Sequence, residues 1–155
     1  MPADAVVLYA NLFVLLVVGV ASPSYISRHK RLRAYSARDF SLLTNLLSRA
    51  SRVVVTPNTA TETSNLASQI AEPARTPIFM VLRDLLQRTD EIHVERRRAL
   101  NHPSFPRRGI TDAALLSTLT ENHTLLTMHL DLYLQAARDG MKAVNFNHHI
   151  EANRP

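Results

Sequence analysis

The 155-residue chain contains no cysteine, no tryptophan and only three glycines. Without cysteine there is no disulfide framework, no cysteine-based zinc site and no thiol nucleophile, and this composition fits a reducing cytoplasm. Three glycines leave no glycine-rich loop of the kind that holds phosphates, and no G-x-S-x-G nucleophile elbow occurs. P-loop, dinucleotide-binding and serine-hydrolase functions are therefore excluded.

Lysine is also scarce: only Lys30 and Lys142 supply it, although the formal net charge is +5. Arginine provides most of the positive charge, and its planar fork of donors suits phosphate groups. Two clusters, HKRLR (29–33) and ERRRALNHPSFPRRG (95–109), indicate a phosphate-rich partner such as RNA. A solvated basic surface without a partner is the alternative. The candidate RNA-binding side chains are Arg96, Arg97, Arg98, Arg107 and Arg108.

Residues 5–21, AVVLYANLFVLLVVGVA, form the most apolar stretch. A spanning helix needs about 20 predominantly apolar residues, whereas this run is shorter and includes Asn11. A signal peptide begins with positive charge, whereas this chain begins MPAD. The stretch therefore favours a buried strand over Ala5 to Tyr9, followed by a helix over Leu12 to Ala21, rather than a membrane segment.

Strand and helix patterns alternate along the rest of the chain. Ser36 with Asp39 indicates a capping box, Thr56 before Pro57 is a typical helix start, and Thr111 is the predicted cap of a further helix. This alternation predicts one α/β domain over residues 1–150 with a mostly parallel sheet, and a disordered tail over 151–155. Predicted strands cover 52–56, 91–94, 124–127 and 142–145, and predicted helices cover 58–70, 78–88, 112–121 and 130–139.

In such a sheet, ligands bind beyond the carboxyl ends of the strands. This rule selects four places along the chain: residues 9–11, 56–62, 111–112 and 127–131. Glu62 and Asp112 are the acids nearest these ends. A purely structural role remains open for both, with Asp112 stabilising a helix start and Glu62 exposed on a helix.

Three separated motifs carry a resemblance to a known family: TPNTATETSNL (56–66), GITDAALL (109–116) and LLTMHLDLYLQAARDGMKAVNF (125–146). In order and spacing, from about Val6 to His148, the chain resembles the PIN-domain family of metal-dependent ribonucleases. The resemblance implies a three-layer α/β/α sandwich. It also implies a cluster of acids that holds Mg²⁺ or Mn²⁺ while water attacks the scissile phosphate of RNA.

The resemblance also implies which acids are present and which are missing. Glu62 and Asp112 match the second and third family acids and are the expected metal ligands and catalytic residues. Tyr9 stands where the family has a metal-binding Asp, and His129 follows Met128 where the family has one or two Asp. Magnesium requires oxygen ligands, whereas imidazole suits Mn²⁺ or softer ions. Asp131 is either a substitute ligand or a first-turn acid.

Two functions follow as expectations. The first is a cytoplasmic metal-dependent endoribonuclease of weak or lost activity, with Asn11, Thr56, Thr111 and Thr127 beside the acids. The second is a catalytically inactive PIN-like module that binds RNA or a protein, with Tyr9 filling the metal position. Many family members are toxins neutralised by a small antitoxin and form dimers, so the resemblance also implies a protein partner and self-association.

Overall fold

A parallel sheet with helices on both faces organises the protein, and a computed structural model describes it over residues 4–155. The strand order is β3-β2-β1-β4-β5, and every neighbouring pair is parallel. The predicted α/β class with a three-layer sandwich is thus confirmed. Residues 1–3 of the predicted domain lie outside the described residues. The strands are β1 (Ala5–Leu8), β2 (Arg52–Val55), β3 (Asp90–Glu91), β4 (His123–Thr127) and β5 (Lys142–Asn145).

The helices divide between two layers. Side chains of α1, α2, α3, α4 and α9 share one buried cluster, and those of α7 and α8 share another on the opposite face. Two short 3₁₀ helices, Pro23–Arg28 and Lys30–Leu32, connect α1 to α2. The α-helices are α1 (Ala10–Ala21), α2 (Ala37–Ser48), α3 (Pro57–Ala67), α4 (Arg75–Arg88), α5 (Arg96–Leu100), α6 (Phe105–Arg108), α7 (Ile110–Thr118), α8 (Leu130–Arg138) and α9 (Phe146–Ala152).

The apolar stretch near the N-terminus forms the central strand and the most buried helix. Val6 and Leu8 of β1 contact the first cluster, whereas Val7 contacts the second, because successive side chains point to opposite faces of the sheet. Every residue of β1 is buried, as expected for a strand covered on both faces. The predicted strand and helix are confirmed. Within residues 4–155, no helix combines the length and apolar character needed to cross a membrane.

Local sequence signals predicted the starts of three helices. The Ser36 hydroxyl accepts from the Asp39 backbone N–H while the Asp39 carboxylate accepts from the Ser36 N–H, so the predicted capping box is present. The Thr56 hydroxyl accepts from the Thr59 N–H at 3.1 Å and caps α3 as predicted. The predicted cap at Thr111 is wrong. Gly109, at φ 83°, caps α7, because this left-handed conformation turns the chain from α6 directly into α7.

Other elements also differ from the prediction, most of all at the sheet edge, between β3 and α7 and at the C-terminal end. The edge strand covers Asp90–Glu91 instead of 91–94, with one further ladder hydrogen bond from the Ile92 N–H to the Val55 carbonyl. Residues 95–109, which no predicted strand or helix covers, contain the short helices α5 and α6. Within the predicted tail, α9 continues through residues 151–152 and Arg38 donates to the Asn153 carbonyl at 2.8 Å.

Candidate functional site

A cleft opens where the carboxyl ends of β1 and β2 meet the starts of α3 and α7. The order in which the chain adds strands reverses at β1, since β2 and β3 lie on one side of it and β4 and β5 on the other. Such a switch point is the usual ligand position in open parallel sheets. The cleft has a volume of about 580 Å³. Its lining residues are Tyr9, Pro57, Asn58, Thr61, Glu62, Asn65, Arg108, Thr111 and Asp112.

Tyr9 lies at the base of this cleft. The side chain is buried, with the residue 9% exposed, and its hydroxyl donates to Asp112 Oδ1 at 3.3 Å. Burial, followed by the nearby charges of Asp112 and Glu62, raises the pKa of the phenol far above its ordinary value. Tyr9 is therefore a neutral hydrogen-bond donor, not a substitute carboxylate.

His129 stands against the Tyr9 ring. The two ring centroids are 4.8 Å apart and the planes meet at 77°, an edge-to-face arrangement. The Asn11 side-chain amide donates to His129 Nε2 at 3.3 Å. Because an amide N–H only donates, Nε2 accepts and the ring proton lies on Nδ1. Tyr9 and His129, where the family resemblance leads one to expect acids, thus contact each other, and the Nε2 lone pair already has a partner.

Arg108 lines the cleft, although from the sequence it was predicted to bind RNA. Its side chain is only 8% exposed, with Nη1 4.0 Å from Asp112 Oδ2. Nη2 donates to the Asp131 carbonyl at 2.6 Å, while Nε is buried without a hydrogen-bond partner in the described structure. A permanent positive charge therefore lies beside Asp112. Asp131 contributes its backbone carbonyl to this arrangement.

The two retained acids face the same cleft from α3 and α7. The pKa of Glu62 is raised, chiefly by burial and further by the Asp112 carboxylate. The pKa of Asp112 is also raised, because burial outweighs the opposing hydrogen bond from Tyr9 and the charge of Arg108. Bringing Glu62 and Asp112 together, as the sequence predicted, thus carries an electrostatic cost that is only partly offset.

The remaining predicted site residues have mainly structural contacts. The buried Thr56 hydroxyl donates to Thr59 Oγ1 at 3.1 Å, and Thr127 Oγ1 accepts from the His129 backbone N–H at 3.1 Å. Thr111 lines the cleft. The sequence analysis missed three polar residues on the cleft side of α3. Their spacing of three and four residues was the available signal; they are Asn58, Thr61 and Asn65.

The donor set does not fit a Mg²⁺ or Mn²⁺ site. No group of three His, Cys, Asp or Glu side chains within residues 4–155 is arranged to hold a metal ion. Of the two acids in the cleft, Asp112 already accepts from Tyr9 and lies beside Arg108. The neighbouring guanidinium would repel a metal cation, and the phenol supplies no negative charge.

The other candidate RNA-binding arginines lie outside the cleft. Arg98 Nη2 donates to the Ser117 carbonyl at 2.5 Å, and Arg107 Nη2 donates to Gln135 Oε1 at 3.1 Å. Arg96 and Arg97 are exposed on α5. The cluster at 95–109 therefore divides: only Arg108 enters the cleft, and two other members bond to neighbouring helices.

Comparisons with known proteins give little beyond this geometry. No protein-family model matches the chain, and no curated protein sequence matches it. A domain of a functionally unknown protein from Methanocaldococcus jannaschii DSM 2661 is similar in structure. The identity is 16%, the match covers 92% of this chain and 90% of the other, and the TM-score is 0.46.

Proposed function

We propose that this protein is a PIN-like RNA-binding module that does not cleave RNA. One observation carries the proposal: Asp112, an acid that the family resemblance assigns to metal binding, is bonded to the Tyr9 hydroxyl and lies beside the Arg108 guanidinium. A carboxylate engaged in this way is a poor ligand for a hard divalent cation, which requires free, negatively charged oxygen donors.

The composition supports RNA as the partner. A net charge of +5 that rests almost entirely on arginine favours phosphates, since each guanidinium offers paired donors to phosphate oxygens. We place the protein in the cytoplasm, where a chain without cysteine is suited to the reducing conditions. A protein partner of antitoxin type and self-association remain proposals that rest on the family resemblance.

A second candidate is a weak metal-dependent ribonuclease. It is favoured by Glu62 and Asp112, which line the same cleft. In this case Glu62 and Asp112 would be the residues that hold Mg²⁺ or Mn²⁺, and the ion would supply Lewis-acid chemistry.

Calorimetry and an RNA cleavage assay discriminate the two candidates. Mn²⁺ and Mg²⁺ are titrated into the unaltered protein and into a Tyr9→Asp, His129→Asp variant, and both proteins are incubated with single-stranded RNA. We expect no cleavage and no metal binding by the unaltered protein, while it retains RNA in a binding assay. Cleavage that depends on metal and disappears in Glu62→Gln would contradict the proposal and establish the ribonuclease.

A further inference from the structure

The segment between α1 and α2 carries an exposed basic surface. Its members are Arg28, Lys30, Arg31, Arg33 and Arg38, and all five are exposed. Asp39 is the only acid between residues 5 and 61, and its carboxylate accepts from the Ser36 N–H in the capping box. None of the five basic side chains forms an ion pair within the described part of the chain. Their charges are therefore available to a ligand.

Buried side chains hold this surface in place. His29 is fully buried, with Nε2 donating to the Ala67 carbonyl at 3.1 Å and Nδ1 accepting from the Arg31 backbone N–H at 3.1 Å. Ile26 and Leu32 are each 1% exposed and belong to the main core. The basic side chains thus project from an anchored backbone, which lowers the entropy lost when a ligand binds.

Two contacts further orient the cations. Arg28 lies over the Tyr25 ring at 5.6 Å, and Arg31 Nε donates to Gln69 Oε1 at 2.8 Å. Lys30 and Arg33 are three residues apart at a 3₁₀ turn, a spacing that places side chains on the same side about 6 Å apart. The Arg31 contact uses only one of its five guanidinium donors, so most remain free.

The chemistry of this surface favours a nucleic acid over a membrane or a protein. Membrane-surface segments insert apolar side chains, and protein interfaces bury an apolar centre. Between residues 22 and 39 no large hydrophobic residue is exposed, because Ile26, Leu32 and Tyr35 are buried. What remains accessible is a row of cations with a half-buried aromatic ring, which suits a phosphate backbone.

Buried Tyr35, in the same segment, contacts the residue that follows β4. The Tyr35 hydroxyl donates to Met128 Sδ at 3.0 Å, and Met128 directly precedes His129. We infer that the basic surface is where this protein binds the phosphates of single-stranded RNA. This inference rests on the proposed RNA-binding function and adds the surface that performs it.

Fluorescence anisotropy with a labelled 20-nucleotide single-stranded RNA tests the inference over a range of KCl concentrations. The first variant carries Arg28→Gln, Lys30→Gln, Arg31→Gln and Arg33→Gln. Because four phosphate contacts are removed, we expect affinity to fall about tenfold or more and the slope of log K against log salt to fall by about 3.

The matched control removes the same charge from exposed positions elsewhere. It carries Arg75→Gln, Arg83→Gln, Arg88→Gln and Arg138→Gln, and we expect it to lose less than about threefold in affinity. An Arg96→Gln, Arg97→Gln variant measures the rival cluster on α5. Urea unfolding checks that all variants fold like the parent.

The outcomes separate the two proposals. If the unaltered protein binds RNA and the first variant binds equally well, the inference is overturned while RNA binding stands. An equal loss in the matched control, or a larger loss in the Arg96 and Arg97 variant, also overturns it. If the unaltered protein does not bind RNA, the proposed function itself fails. Stronger binding to phosphatidylserine vesicles than to RNA would assign the surface to membranes and overturn the inference.

Discussion

Arg108 and Arg33 carry the same side chain in two very different settings. Arg108 lies in the cleft, where its side chain is 8% exposed and contacts the Asp112 carboxylate and the Asp131 carbonyl. Arg33 lies on the basic surface, exposed and without an acidic partner in the described structure. The charge of Arg108 is compensated within the cleft, whereas the charges of the basic surface are left to a ligand. Positive charge in a sequence therefore indicates binding only after its internal partners are known.

Of the changes considered, removing Arg108 should lower the free energy of unfolding the most. Arg108→Met keeps the apolar part of the side chain but leaves the half-buried Asp112 without its cation and the Asp131 carbonyl without its donor. Because an uncompensated charge then remains in the cleft, we expect the free energy of unfolding to fall by about 3 kcal/mol in urea titrations.

Arg107→Met is the control for this change, because Arg107 is exposed and donates only to Gln135. It should cost less than about 0.5 kcal/mol. Equal stability losses in the Arg107 and Arg108 variants would show that Arg108 does not compensate Asp112.

Replacing His29, which anchors the basic surface, should give the next largest loss of stability. His29→Leu fills the same buried space but leaves the Ala67 carbonyl and the Arg31 N–H without partners. We expect a loss of about 2 kcal/mol in the free energy of unfolding, because each unpaired buried group retains its desolvation cost. Weaker RNA binding should accompany it, since the basic side chains lose their fixed backbone.

Lowering the pH should reduce the stability of the protein through His29. Burial lowers its pKa below 6.5, so the folded state binds the proton less tightly than the unfolded chain. The stability contributed by neutral His29 is present above pH 6.5 and is lost as the pH falls through the lowered pKa. The His29→Leu variant should lack this loss, whereas a His93→Leu control at an exposed position should keep it.

Tyr9→Phe tests the hydrogen bond at the base of the cleft. Removing the hydroxyl leaves Asp112 Oδ1 without that donor, and we expect a loss of about 1 kcal/mol because the bond is long at 3.3 Å. Since the Tyr9 hydrogen bond lowers the pKa of Asp112, that pKa should rise in the variant, as followed by NMR titration. An unchanged pKa would contradict the assigned contact. Tyr133→Phe, at a half-buried position on α8, serves as the control.

The smallest effect is expected at Glu62. Its pKa is raised, so the folded state binds the proton more tightly, and the contribution to stability is greatest below pH 4.5 and lost as the pH rises through the raised pKa. Glu62→Gln should therefore be more stable than the parent at pH 7, by less than about 1 kcal/mol, with the gain disappearing towards pH 4. Glu121→Gln, at an exposed position, should show no such trend.

Several elements were predictable because their signals are local. The Thr56–Pro57 helix start and the Ser36–Asp39 capping box depend on residues within one helical turn, and both are present. The cap of α7 was misplaced because Gly109 adopts a positive φ that depends on how α6 is joined to α7. The edge strand was predicted too long because only a pairing partner, here β2, determines how far β3 extends.

Part of the candidate site was also predictable from the sequence. The rule for strand ends located Tyr9, Glu62 and Asp112 near one another, and the structure places them around one cleft. The burial of Arg108 could not be predicted, because nothing in the sequence shows which of the five arginines at 95–109 is buried. Its burial follows from the packing of α6 and α7 near the start of α8.

The sequence by itself determined the alternation of strands and helices, the apolar central strand and the absence of acids at Tyr9 and His129. These properties follow from residue type and periodicity, which act over a few neighbouring residues. The tertiary structure alone decided which cations are neutralised and which are free. Charges interact through space and burial: Arg108 and Asp112 are only four residues apart, but the fold buries Arg108 against the Asp131 carbonyl, while residues 28–38 keep their charges exposed to solvent.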